Sequence, residues 1–261
     1  MKFPLRLTLD IWRNRLSQPF ANGGHRGPIV HLSASALPAL HENGGSCVSS
    51  ENGNSAAETV RTAAQTRAPV LWIGGGEPLD HSEVGRVAFA LNAKRRNVFL
   101  HTDGQRLRQR IHEFHPDPGL FLTVELSGRE AFHDGAAGRP GAFGRVIEGI
   151  RAAKLSGFHV CAHVTVTDKT EVCETGELFE FLDRYDVDGY IVSSGGRTPP
   201  ADTAALDDLE EIRALTRCGR WESFSRLLEA SYVSQRDKSD VVPVSVVPVP
   251  ESDTDAVEET A

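Results

Sequence analysis

Pro69-Val70-Leu71-Trp72-Ile73-Gly74-Gly75-Gly76-Glu77-Pro78-Leu79 is an apolar run that ends in three glycines, a carboxylate and a proline. A short apolar run bounded by such a turn reads as a strand buried on both faces. The next run, Val98-Phe99-Leu100-His101, closes in the same way on Thr102-Asp103-Gly104, and the sequence between the two suits a helix. The same alternation of apolar run, turn and helical spacing continues from Pro28 to about Ser194. It predicts parallel strands joined by helical crossovers.

The strands are predicted at 29–34, 70–73, 98–101, 120–126, 159–167 and 189–193. Between them the clearest helix covers 141–155, where Phe143, Val146, Ile147, Ile150 and Ala153 share one face. Ser55 and Ser82 stand where N-caps belong, and 177–185 supplies a further crossover. Six strands in this order give an α/β fold, either a partial (β/α)6 TIM-like barrel or a doubly wound sheet. The expected division is a helical segment at 1–27, the α/β domain at 28–232 and an acidic tail at 233–261.

Composition narrows the function classes. A net charge of -8 and a pI near 5.7 give no general reason to expect nucleic acid as a partner. The four cysteines, Cys47, Cys161, Cys173 and Cys218, are too scattered for a disulfide framework, which fits a reducing cytoplasm. Residues 1–16 interleave apolar residues with Arg6, Asp10, Arg13 and Arg15. They lack the uninterrupted apolar core of a signal peptide, and no later run is long enough to span a bilayer. The pattern at 5–16 is that of an amphipathic helix lying either on the barrel or on a membrane surface. The stretch 42–55 is rich in Gly, Asn and Ser and reads as a loop, and the Val- and Pro-punctuated tail ends in Glu251, Asp253, Asp255, Glu258 and Glu259, a composition expected to be disordered.

In a parallel α/β sheet ligands bind at the carboxyl ends of the strands. Those ends carry Gly74 to Pro78, His101 to Gly104, Glu125 to Gly128, Thr165 to Asp168 and Ser193 to Gly196. Glycines there admit a ligand close to the backbone, and a carboxylate can accept from an ammonium group. Tight turns with surface acids would leave the same trace, and Asp103 before Gly104 or Ser127 before Gly128 also suits a plain turn. The glycines match neither the dinucleotide fingerprint nor a phosphate-binding loop with its lysine. Among the histidines, His41 neighbours the first loop, while His101, His133 and His163 are expected toward the barrel mouth. His159 and His163 should face the same side of their strand. No chelating spacing links them, so scattered hydrogen-bonded histidines are expected rather than a metal site.

The order and spacing of these segments resemble the radical S-adenosylmethionine (SAM) superfamily. They are similar in particular to the branch that includes adenosylhopane synthase of hopanoid biosynthesis. The resemblance rests on the Gly-Gly-Glu turn at 75–77 and on 98–104, Thr123 to Gly128, Phe132-His133-Asp134, Ala142-Phe143, Ala152 to Val160 and Val187 to Tyr190, and it spans roughly Pro28 to Gly196. It implies a SAM pocket in which Gly75, Gly76 and Glu77 receive the amino group, with Asp103 and Ser127 near the cofactor. It also implies a [4Fe–4S] cluster held by Cys-x-x-x-Cys-x-x-Cys after the first strand.

This sequence departs from the family at that motif. The three positions fall on Ala39, Asn43 and Ser46, and a shift by one residue brings in Cys47 beside Leu40 and Gly44. One thiolate does not hold four irons, and Cys161, inside a strand, and Cys173, in a loop, are not expected to help. Three readings follow. The first is a cluster-free relative that binds SAM or regulates hopanoid or isoprenoid lipid synthesis. The second is an active adenosyl-transferring enzyme with an atypical iron–sulfur site. The third is a scaffold for lipid-pathway proteins that uses the amphipathic helix or the acidic tail, with peripheral membrane contact.

Overall fold

The computed structural model describes residues 3–17, 28–34, 60, 63, 66–167, 169–194, 203–216 and 218–239. Ser55, the loop at 42–55 and the tail from Asp240 onward lie outside them. Six strands form one sheet in sequential order: β1 (Ile29–Ser33), β2 (Val70–Gly74), β3 (Asn97–Thr102), β4 (Leu120–Glu125), β5 (His159–Thr165) and β6 (Gly189–Ser193). Every neighbouring pair is parallel. The sheet is covered on both faces, which is why its strands read as near-continuous apolar runs rather than alternating ones.

On the outer face Val30, Leu71, Ile73, Val98, Leu100, Leu122, Val124, Val160, Val164 and Val192 are buried in one large cluster. The helices α2 (Val84–Ala93), α5 (Ala142–Leu155), α6 (Val172–Leu182) and α7 (Thr203–Ala214) contribute to it, α5 through the face read from its spacing. Shorter helices α3 (Leu107–Arg110) and α4 (Glu130–Ala137) complete this layer, and their length explains why periodicity did not reveal them.

The inner face holds a second cluster of Ile29, Val70, Trp72, Phe99, Phe121, Cys161 and Ile191. Helix α1 (Leu5–Ser17) closes the end of the barrel near the strand amino termini, burying Leu7 and Ile11 against this cluster. There Asp10 accepts from Asn97 Nδ2 at 3.0 Å. Helix α8 (Gly219–Ser239) fills the open side from β6 to β1 with Trp221, Phe224 and Leu228, and Phe224 stacks on Phe99 at 4.7 Å. This helix continues past Val233, where the tail was expected to begin.

Because β6 is an edge strand, its outward N–H groups need partners. Val192 N donates to Ser225 Oγ at 3.0 Å and Ser194 N to Glu229 Oε2 at 2.8 Å, so α8 supplies them. Ser225→Ala should leave Val192 N unpaired and lower unfolding stability by about 1–2 kcal/mol, read from the urea midpoint.

Several local expectations are corrected. Ser82 does not cap α2: the cap position is Glu83, without a side-chain bond, and Ser82 Oγ is buried without a partner. The sixth helix begins at Val172, ahead of Glu177, so Cys173 sits in its first turn and not in a loop. Strands β4 and β5 stop at Glu125 and Thr165, short of the expected 126 and 167.

Candidate functional site

Along each strand the inner face changes character toward the carboxyl end. Above the apolar layer of Trp72, Phe99 and Phe121 come His31, Ser33, His101, Glu125, His163, Thr165 and Ser193. Neighbouring pairs follow from the parallel register, which sets Glu125 beside His163 and Thr165 beside Ser193. A cavity of about 650 Å³ opens at this level, floored by Trp72 and His163 and bounded by Gly74, Gly75, Glu125 and Ser127. That volume is ordinary for a cofactor site.

The floor is one hydrogen-bonded chain. His163 Nδ1 and His101 Nε2 lie 2.9 Å apart, and His163 Nε2 meets Ser193 Oγ at 2.8 Å. Two imidazole nitrogens at that distance share a single proton, so one ring donates and the other accepts. Burial holds the pKa of His163 well below the ordinary histidine value, with the neighbouring His101 adding to the effect. Burial also lowers that of His101, against the opposing pull of Glu125 and Asp103. Both rings are therefore neutral at pH 7. Glu125 Oε2 stands 3.8 Å from His101 Nε2, while its Oε1 accepts from Thr165 Oγ1 at 3.2 Å. The Trp72 indole stacks against His101 with centroids 5.3 Å apart. On the opposite wall His31 Nε2 meets Ser231 Oγ at 2.7 Å and its ring packs on Tyr232.

Of the five residues that the resemblance places at SAM, the cavity brings together Gly75 and Ser127, and His101 and His163, expected toward the barrel mouth, line it as well. Gly75 adopts φ +74 and Gly76 φ +144, conformations natural only to glycine, which let the chain turn sharply off β2. Glu77 is committed elsewhere. Its Oε1 accepts from Leu79 N at 2.8 Å and Thr102 Oγ1 at 2.7 Å, and its Oε2 from Asp103 N at 2.7 Å. The carboxylate thus ties the end of β2 to the end of β3, and Gly76, Glu77 and Asp103 are not among the cavity-lining residues. Asp103 Oδ1 accepts from Gln105 N at 2.9 Å, the plain turn role weighed for it.

His133 is corrected from the barrel mouth. It is buried on α4 against Phe143, and its Nδ1 accepts from Ser127 N at 3.3 Å. His159 shares the inner face with His163, as expected, but lies at the far end of β5 beside Phe121 and Asp188. Sequence reasoning missed the contact between His101 and His163. The signal available was that both occupy inward positions of strands with one strand between them.

A [4Fe–4S] cluster requires thiolates converging from one loop, and the described cysteines do not supply that set. Cys161 is fully buried in the apolar layer, where desolvation pushes its thiol further from ionisation. Cys173 is exposed on α6 and Cys218 precedes α8. None of the three lines the cavity. Ala39, Asn43, Ser46 and Cys47 lie outside the described residues, and among the described residues no group of three or more His, Cys, Asp or Glu could hold a metal ion.

Two curated proteins illustrate the sequence relationships. An AdoMet-dependent heme synthase of Methanosarcina barkeri is 32% identical over 149 residues, 55% of this chain and 42% of that protein. A pre-heme d1 synthase of Dinoroseobacter shibae is 28% identical over 142 residues, 53% of this chain and 34% of that protein. The matches thus span less than half the length of either relative, and both are named for haem-related synthesis, not for the hopanoid branch suggested by motif order. Among solved structures, Streptococcus suis SuiB bound to S-adenosylmethionine superposes with a TM-score of 0.53 over 80% of this chain and 44% of that one, at 15% identity, a likeness of fold. The model of the Radical SAM superfamily matches residues 52–182, half of the chain, and runs from ahead of β2 to the end of α6. The chain therefore belongs to the radical SAM superfamily.

Proposed function

We propose that this chain binds S-adenosylmethionine at the carboxyl ends of its strands without cleaving it reductively. The observation that carries this reading is a cavity of cofactor size, edged by the Gly74-Gly75 turn, with no described cysteine in its lining. Reductive cleavage draws its electron from a cluster, and the sequence carries only Cys47 in the region where the family places three thiolates. Since the Glu77 carboxylate is occupied by backbone and Thr102, the ammonium group of SAM would be held by Glu125 and by backbone at Gly74 and Gly75, with Ser127 beside them. Trp72 and the neutral His101–His163 pair would form the floor under the ligand. Lys169, at the rim, carries the charge that suits the ligand's carboxylate.

The names of the curated relatives make a tetrapyrrole the second ligand to test, with a polycyclic triterpene, suggested by motif order, as its comparator. The test is calorimetric titration with SAM, paired with iron and sulfide analysis after anaerobic reconstitution. Saturable binding without specific iron is expected, and Glu125→Gln should weaken it about tenfold by removing one charge-assisted bond. Near four irons per chain, lost in Cys47→Ala, would establish the alternative of an active enzyme with unusual ligands. Absence of SAM binding would leave the scaffold reading.

A further inference from the structure

Helix α1 carries two apolar stripes, and the barrel uses one of them. Leu7 and Ile11 are 0% and 9% exposed, whereas Leu5, Leu9, Trp12 and Leu16 are 66%, 50%, 59% and 55% exposed. At 3.6 residues per turn these four fall within about 60° of the helix circumference, roughly opposite Leu7 and Ile11. They account for four of the six exposed large hydrophobic side chains among the described residues. A contiguous stripe of this kind marks a surface meant to be covered.

Charge identifies what covers it. The chain is acidic overall, at -8, yet the groove beside the second half of α1 is lined by Arg13, Arg67, Lys94, Arg95 and Arg96, with Asp10 as its one acid. Asp10 already accepts from Asn97 and pairs with Arg6 at 3.7 Å. The Lys94-Arg95-Arg96 turn is fixed in place. Arg95 holds φ 58, and the Arg96 guanidinium donates to the carbonyls of Ala68 and Thr66, both at 2.6 Å. On the other flank Trp12 lines an apolar groove together with Arg220, Phe3 and Leu227. Leucines and a tryptophan flanked by cations are the features of a helix that lies in the plane of an anionic bilayer. No helix among the described residues is long and apolar enough to cross a membrane.

We infer that α1 and the Lys94-Arg95-Arg96 turn form a docking surface for an anionic phospholipid bilayer. The helix lies flat in the headgroup region, with Leu5, Leu9, Trp12 and Leu16 inserted and the basic groove against lipid phosphates. Because α1 closes the end of the barrel opposite the cavity, this attachment leaves the candidate site facing the aqueous phase.

The experiment is flotation of the 261-residue chain with vesicles of phosphatidylcholine alone, or with about one third phosphatidylserine. Tryptophan emission is recorded in parallel. Of the three tryptophans only Trp12 is exposed, Trp72 and Trp221 being 2% and 0% exposed, so a blue shift on binding reports insertion of α1. Binding to the anionic vesicles with a blue shift is expected, weakening as salt is raised. Arg13→Glu combined with Lys94→Glu should reduce partitioning by at least about twentyfold, taking roughly a factor of five per basic charge. Leu9→Ser with Trp12→Ser should reduce it about tenfold or more, with unchanged circular dichroism because both side chains are exposed. Failure to bind anionic vesicles, or equal binding to neutral ones, overturns the inference. So does binding that appears only when residues 240–261 are removed, which would make the acidic tail the occupant, or self-association abolished by Trp12→Ser, which would make it a second copy of this chain.

Discussion

Trp221→Ala is expected to lower unfolding stability by about 3–5 kcal/mol, the range for removing a fully buried large aromatic side chain. The indole is 0% exposed, and its Nε1 donates to Asp188 O at 3.0 Å. It meets Phe3 edge-on at 4.7 Å and Phe224 at 5.8 Å. It also rests directly on β6 at Gly189, where a Cβ would lie 2.1 Å from its Cε2. The absence of a side chain at Gly189 is thus what lets α8 reach the strand. Gly189→Ala should therefore also destabilise, by about 1–3 kcal/mol or more through overpacking. Combined with Trp221→Ala it should cost less than the sum of the two, because the new methyl enters the space the indole vacates. Urea midpoints at constant m test this cycle. A Trp221→Ala loss below about 1 kcal/mol would show that α8 does not seal the barrel.

Glu77 gives the second large effect, and it depends on pH. Burial pushes its carboxyl up to about 7 from 4.5, outweighing the hydrogen bonds from Asp103 N, Thr102 Oγ1 and Leu79 N, which favour the ionised form. The native state therefore holds a proton that the unfolded chain releases between about pH 4.5 and 7. The resulting stability is fully present below about pH 4.5 and is lost as pH rises through about 7, on the order of 1–3 kcal/mol in all. Subtracting the pH profile of Glu77→Gln from that of the wild type should isolate this slope, since the amide does not titrate. Glu77→Ala should cost about 2–4 kcal/mol at pH 5, because three donors at the ends of β2 and β3 lose their acceptor together. A difference profile that is flat, or that rises between pH 5 and 8, would mean that the hydrogen bonds outweigh burial.

The sequential order of the six strands in one sheet was settled by the structure, against a doubly wound alternative, but the positions of the strands and the helix at Ala142–Leu155 were legible in the sequence. Each is declared by local periodicity, and a sheet buried on both faces leaves apolar runs that are hard to misplace. The identities at 39, 43 and 46, where the resemblance expects cluster cysteines, were legible too, as Ala, Asn and Ser. Short elements such as α3 and α4 were not, because three or four turns are needed before a repeat declares itself.

What the tertiary structure alone decided are the partnerships. His101 and His163 are 62 residues apart and meet only across the intervening strand β4, where His101 pairs with Thr123 and His163 with Glu125, the next inward position. Glu77 carried the expected ammonium-binding identity, yet the fold directs its carboxylate into the β2–β3 junction, where unsatisfied backbone N–H groups compete for it. In α1 the periodicity announced an amphipathic helix, but not which apolar stripe faces inward. That choice was made by the shape of the barrel floor, which accepts Leu7 and Ile11 and leaves Leu5, Leu9, Trp12 and Leu16 in solvent. Sequence spacing determines which residues share a face; burial, which depends on every other element, determines what that face meets.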